Sequence, residues 1–225
     1  GHQWAHVSTR DLVKWTHHPL ALPLTEPWEG SICTGSAFFH DGLYYAFYAV
    51  RKPDRTQHLC LATSRDGVAF EKRKNNPFLS APAGYRADDF RDPFVFRDEA
   101  GHFQLLVTSR QSESPLYDRG GCVLRFESDD LETWRGPSLF LTPGGRTGWG
   151  GVPECPDCFF WNGWHYLLFG LGLQTHYRLS RNPLGPWIEP AVDTLGTPLE
   201  AVLKTAPFGE NRRIGAAWIT ERGEG

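Results

Sequence analysis

Two acidic positions stand out by their neighbours. Glu154 lies in GVPECPDCFFWNGWHYLLFG (residues 151–170), fenced between Pro153 and Pro156 and followed by an apolar run. Prolines on both sides exclude a helix interior and hold the backbone extended or turned. Asp92 lies in FRDPFVF (residues 90–96), with Arg91 before it and Pro93 after. Each carboxylate stands at the entrance to an apolar strand, where an ionisable group is either costly or at work. Two such groups facing one sugar suffice for glycoside hydrolysis. One gives a proton to the leaving oxygen, and the other stabilises or attacks the oxocarbenium-like centre. Glu154, amid apolar strands, is the better candidate for the proton donor. Asp92, beside a guanidinium, is the better candidate for the charged partner that accepts hydrogen bonds from sugar hydroxyls.

These residues are far apart in the chain, so a repeat must bring them together. Four segments resemble each other: HVSTRDLVKWTHHP from His6, LATSRDGVAFEKRKNNP from Leu61, RFESDDLETWRGP from Arg125 and RLSRNPLGPWIEP from Arg178. Each reads as a strand, a polar turn and an aromatic exit, anchored on Ser8, Ser64, Ser128 and Ser180. Four further segments alternate with them: GSAFFHDGLYYAFYAV from Gly35, RDPFVFRDEAGHFQLLVTSR from Arg91, ECPDCFFWNGWHYLLFG from Glu154 and LKTAPFGENRRIGAAWI from Leu203. Asp41-Gly42 and Asn162-Gly163 are two-residue hairpin signals inside them. One unit is thus four antiparallel strands in about 50–60 residues, the unit of a β-propeller blade. The 24 Gly and 17 Pro interrupt the chain too often for long helices. A β-sandwich with uneven strand spacing is the plainer alternative.

The expected fold is all-β: a partial five-bladed β-propeller over residues 1–225, with about four blades present. Residues 1–18 supply only the outer end of the first blade. Its inner strands are expected before Gly1, and a further outer part after Gly225. In a propeller the first strand of each blade lines the central channel. Thr34 to Ser36, Arg91-Asp92-Pro93, Glu154-Cys155-Pro156 and Lys204-Thr205 are then expected to meet at one end of it. Asp88-Asp89 either orient Arg91 or sit in an exposed loop. His17-His18 read as a surface turn, and Asp129-Asp130 as a turn braced by its own side chains. The Trp residues at 15, 134, 161, 164 and 187 read as packing; Trp4, Trp28, Trp149 and Trp218 are candidates to stack on a sugar.

The composition narrows the function classes. A net charge of −3 gives no electrostatic case for nucleic acid or an acidic membrane surface. No apolar run approaches the roughly 20 residues that span a bilayer. The five cysteines are scattered, and the Cys155-x-x-Cys158 pair has no second pair or His cluster to complete a zinc site. No metal and no organic cofactor is expected. The composition leaves compartment and oligomeric state open.

The segments FRDPFVF and ECPDCF resemble the RDP and ECP motifs of glycoside hydrolase family 32, which holds invertases, inulinases and levanases. CTGSAFF (33–39) resembles its Ser-Gly-Ser motif, and HQWAHVSTRDLVKW (2–15) its His-Trp-Gly-His segment. The matches fall in the family's order and cover nearly the whole chain. The resemblance implies a five-bladed propeller and retaining hydrolysis of β-D-fructofuranosides such as sucrose or fructan. Carried over by position, it makes Glu154 the acid/base and Asp92 the transition-state stabiliser, with Arg91, Thr34, Ser36 and Trp218 binding the fructoside. The family's nucleophilic aspartate, in a Trp-Met-Asn-Asp-Pro-Asn-Gly motif, has no match here, and neither does its C-terminal β-sandwich. Residues 1–225 are therefore expected to be an inactive fragment. The alternatives are an inverting five-bladed glycosidase of the arabinanase or β-xylosidase type, and a non-catalytic sugar-binding propeller.

Overall fold

A computed structural model describes residues 1–113, 120–143, 151–196 and 200–219; Trp149 lies outside the described residues. All regular elements among them are strands. A first antiparallel pair joins β1 (Trp4–Thr9) and β2 (Trp15–Leu22). A second sheet runs β3 (Ser31–His40), β4 (Leu43–Arg51), β5 (Gln57–Ser64), β6 (Glu71–Lys72), with β7 (Leu79–Ser80) also on β5. The third is β8 (Tyr85–Arg97), β9 (Phe103–Gln111), β10 (Gly121–Ser128), β11 (Arg135–Leu141). The fourth is β12 (Glu154–Trp161), β13 (Trp164–Leu171), β14 (Gln174–Ser180), β15 (Thr194–Leu195), and a last pair joins β16 (Glu200–Pro207) and β17 (Arg213–Ile219). This is the predicted alternation of inner and outer hairpins, and the middle three sheets carry the whole unit.

Turn chemistry fixes the inner hairpins. Asp41-Gly42 and Asn162-Gly163 both take the left-handed backbone of a tight turn, with φ of 47° and 77° in one and 48° and 80° in the other. Apolar faces then meet between successive sheets. Phe47, Leu59 and Leu61 pack on Phe90, Leu105 and Leu124. Leu106 and Val123 pack on Cys158, Leu167 and Phe169. Leu22 of the first pair joins Ile32, Tyr48 and Cys60 of the second sheet. Burying each such side chain contributes roughly 1.5–3 kcal/mol.

The outer hairpins share a hydroxyl–acid brace. Ser64 Oγ accepts the Gly67 N–H, and Asp66 Oδ1 accepts those of Val68 and Ala69, all at 2.9 Å. Ser128 Oγ accepts the Leu131 N–H at 3.0 Å, and Asp130 Oδ1 accepts those of Glu132 and Thr133 at 2.8 and 2.7 Å. In the first repeat the hydroxyl is Thr9, not the Ser8 read from the sequence. Thr9 Oγ1 accepts the Leu12 N–H at 2.9 Å and Asp11 braces Val13 and Lys14, while Ser8 Oγ meets His18 Nε2 at 2.8 Å. His17 and His18 themselves lie in β2 rather than in a turn. The backbone N–H donors hold the Asp66 and Asp130 carboxyls down at about 2. A carboxyl lowered on folding stabilises above its ordinary pKa, and that contribution is lost as pH falls through the folded value. Stability should therefore drop between about pH 4 and pH 2. Asn keeps the acceptor without the titration, so the double variant Asp66→Asn/Asp130→Asn should show a shallower drop. Urea midpoints by Trp fluorescence across that range check it.

Two side chains of the loop from β2 to β3 and of β6 tie the first two sheets. Lys72 Nζ donates to Glu29 Oε1 and Oε2 at 2.6 and 2.7 Å and to the Pro23 carbonyl at 2.6 Å, with the Glu29 side chain fully buried. Both charges are paired and hydrogen-bonded, the condition for burying them.

Candidate active site

A recurrent bulge builds the site. In each of the four inner hairpins the register slips at the same height: between Ile32 and Gly35, Arg91 and Phe94, Glu154 and Asp157, and Ala201 and Lys204. A bulge turns the strand and re-aims the side chains beside it. Three of the four carry a left-handed residue at the equivalent position: Asp92 with φ of 54°, Cys155 with 52° and Val202 with 53°. Non-glycine residues in that region cost of order 1–3 kcal/mol each and persist where the surroundings hold them. The fourth bulge uses glycine for a different reason. A Cβ on Gly35 would lie 1.9 Å from the Phe47 carbonyl oxygen, so the CTGS run seats β3 against β4 only with glycine there.

The bulges bring Arg91, Asp92 and Glu154 together. Arg91 Nη2 donates to Glu154 Oε1 at 2.9 Å, and its Nε stands 3.8 Å from Asp92 Oδ2. Asp92 is 3% exposed, and Oδ2 also accepts the Cys155 N–H at 3.0 Å, so its carboxylate crosses from the third sheet to the fourth. Arg91 is itself held from behind. Its Nη1 donates to Asp89 Oδ1 at 2.6 Å and to Gln57 Oε1 at 3.4 Å, and Arg110 pins Asp89 Oδ2 at 2.7 Å. Burial works against the Arg91 charge, but Asp92, Asp89 and Glu154 outweigh it and raise its pKa further. Asp89 is thus the orienting residue of the Asp88-Asp89 pair; Asp88 pairs with Arg86 instead.

A cavity of about 310 Å³ opens over these groups, lined by the polar Thr34, Arg91, Asp92 and Glu154, by Cys33 and Cys155, and by the apolar Leu173, Ala201, Val202 and Trp218. A second, of about 450 Å³, adjoins it through Cys33, Thr34 and Trp218. Trp4 lines this second cavity, whereas Trp28 packs on the core of the second sheet. Among the described residues, Asp92 and Glu154 are the carboxylates on the first cavity. Glu154 is not enclosed by its apolar strands as the sequence suggests, since its side chain is 47% exposed toward this opening.

Two of the expected entrance groups lie elsewhere. Ser36 is one step past the bulge; its hydroxyl accepts the Val95 N–H at 3.2 Å and does not line the cavity. Lys204 and Thr205 lie beyond the bulge of β16, so Ala201 and Val202 occupy the height expected for them. Both instead grip the Glu154 bulge from below. Lys204 Nζ donates to the Pro156 carbonyl at 2.7 Å over the Phe94 ring, and Thr205 gives both its N–H and hydroxyl to Asp157 Oδ2 at 2.7 Å. Desolvation lowers the Lys204 pKa against the opposing pull of Asp157, Cys155 and Asp92. Asp157 is 2% exposed. It was not singled out in the sequence, although it stands three residues after Glu154 at a strand entrance. Asp157→Ala strips the acceptor from both Thr205 donors and a neighbouring negative charge from the half-buried Lys204, and should cost about 1–3 kcal/mol in urea unfolding. Thr205→Val added to it should cost more again, because the Thr205 hydroxyl also accepts from Arg213 Nε and Nη2 at 3.2 and 2.8 Å.

The five cysteines form no disulfide. Burial pushes the thiols of Cys60 and Cys122 up to about 12 and raises those of Cys155 and Cys158 as well. No group of three or more metal-binding side chains occurs among the described residues.

Residues 1–182 match the glycosyl hydrolases family 32 N-terminal domain. The chain belongs to glycoside hydrolase family 32. A sucrose-6-phosphate hydrolase of Bacillus subtilis (strain 168) is 36% identical over 73% of the chain and 34% of its own length. A levanase of Bacillus sp. (strain L7) is 34% identical over 71% of the chain and 18% of its own length. A solved sucrose-6-phosphate hydrolase from Lactobacillus gasseri superposes with a TM-score of 0.79 at 20% identity, over 96% of this chain and 47% of that one. The chain therefore spans about a third of the first of these curated relatives and under a fifth of the second. Members of family 32 with these names are glycosidases, and the RDP and ECP segments both face the cavity, as CTGS does through Cys33 and Thr34.

Proposed function

We propose that this family 32 chain is most of a five-bladed propeller that hydrolyses β-D-fructofuranosides, sucrose or fructan, with retention. The observation that carries the reading is the Arg91 guanidinium set between Asp92 and Glu154 on one cavity. Glu154, open to the cavity, gives its proton to the glycosidic oxygen. Asp92, buried and fixed by Cys155 and Arg91, holds fructose hydroxyls and the charge that develops on the ring. Thr34 and Trp218 complete the wall. A covalent step needs a third carboxylate, and neither of these two is left for it. The reading takes the nucleophile from elsewhere in the protein, and residues 1–225 by themselves should leave fructosides intact. The reading of five blades takes the two flanking strand pairs as parts of separate blades beside the three complete sheets.

The test is fructose release from sucrose, inulin and levan by the polypeptide that carries this chain, beside its Glu154→Ala variant, with arabinan and xylan as controls. Cleavage of a fructoside that the variant has lost supports the reading. Cleavage of arabinan or xylan with all three fructosides untouched sinks it.

A further inference from the structure

Leu173 has no structural reason to be a leucine. It forms, with Gly172, the two-residue tip between β13 and β14, at φ of 60° and 67°. Such turns favour glycine, and the molecule's other tips of this kind, Asp41-Gly42 and Asn162-Gly163, both have glycine second. Leu173 places a branched side chain there in the left-handed region. It gains no packing in return, being 62% exposed and outside the buried apolar clusters. What it does line is the cavity of Arg91, Asp92 and Glu154, which Trp218 lines as well.

Its height assigns it a partner. Glu154 pairs with Gly170, and Leu173 lies in the turn that closes the β13–β14 hairpin one step above the Leu171–Gln174 pair, about 7 Å toward solvent from the Gly170 level at strand rise. A proton donor stands beside the oxygen of the departing group, so whatever lies on the solvent side of Glu154 borders that group. We infer that Leu173 contacts the leaving group and sets the preference for a sugar ring there. The inference rests on the fructosidase reading above. Leu173 and Trp218 offer an apolar surface to the C–H face of a hexose, while a small alcohol would not reach it.

The test compares Leu173→Gly and Leu173→Asn, both suited to the turn, with the parent polypeptide on sucrose and on methyl β-D-fructofuranoside. The expected result is a fall in kcat/KM on sucrose of about 5–10-fold, the scale of a lost apolar contact, with less than about a twofold fall on the methyl fructoside. The urea midpoint should hold or rise, since the turn loses its strain. Equal falls on both substrates, no fall on sucrose, or a lowered midpoint would each overturn the inference. A parent that releases fructose from neither substrate overturns the fructosidase reading first, and this inference with it.

Discussion

On the fructosidase reading, Asp92→Asn in the polypeptide that carries this chain should lower kcat on sucrose by about 10³-fold while the protein stays folded. The amide has nearly the shape of the carboxylate, and its oxygen can still accept the Cys155 N–H that now lies 3.0 Å from Oδ2. What disappears is the negative charge on a group that is 3% exposed. A charge out of water and aimed at a developing cation is worth far more than the same charge in solvent. Its effect grows as the ring gains positive charge, so the loss should fall mainly on kcat, with KM changed by a few-fold at most. Asp92→Ala adds a structural cost of about 1–3 kcal/mol, because it leaves the Cys155 N–H buried without an acceptor. Steady-state kinetics and a urea titration on both variants separate the two effects. An Asn variant within tenfold of the parent would reduce Asp92 to a strut between the third and fourth sheets.

The blade pattern was legible because it is written in local chemistry. Asp-Gly and Asn-Gly dipeptides specify their turns, and the Ser-x-Asp braces need only neighbouring backbone N–H groups. Even there the reading slipped by one residue at Ser8, since Ser and Thr are interchangeable as the bracing hydroxyl and two adjacent candidates stood in the first repeat. The structure settles the choice through the hydrogen bond from Leu12 to Thr9.

The site was legible in its charged residues and not in its depth. Arg91, Asp92 and Glu154 came from their proline neighbours and their motifs. The bulges did not, because one extra residue per strand is set by packing between sheets and leaves the alternation on either side intact. Counting straight through the bulge of β16 put Lys204 and Thr205 at the mouth, where Ala201 and Val202 stand. Val202 shows how such a height is set between sheets: a Cβ on Gly170 would lie 2.5 Å from Val202 Cγ1, so β13 meets the bulge of β16 at a position where glycine leaves room for it. Asp157 escaped for a related reason. Its role depends on Thr205, 48 residues away, and no local pattern announces that contact.

Glu154→Gln should lower kcat on sucrose by about 10²–10⁴-fold, the usual worth of a placed proton donor. The fold should scarcely notice. The side chain is 47% exposed, and a Gln carbonyl oxygen can keep the 2.9 Å hydrogen bond from Arg91 that orients it. The sharper expectation concerns the leaving group. A glucosyl oxygen must be protonated to depart, whereas a nitrophenolate departs as the anion. On a p-nitrophenyl fructoside the same variant should lose far less kcat/KM than on sucrose, because kcat/KM reads the step in which the leaving group departs, whereas the later hydrolysis, with Glu154 as base, slows for both. Assigning Glu154 to proton donation requires that difference, because a residue that only binds fructose would cost both substrates alike. Equal losses would move Glu154 to the binding wall and leave the proton to another group. A large loss on sucrose beside a small one on the nitrophenyl substrate would fix its task as protonating the oxygen that leaves.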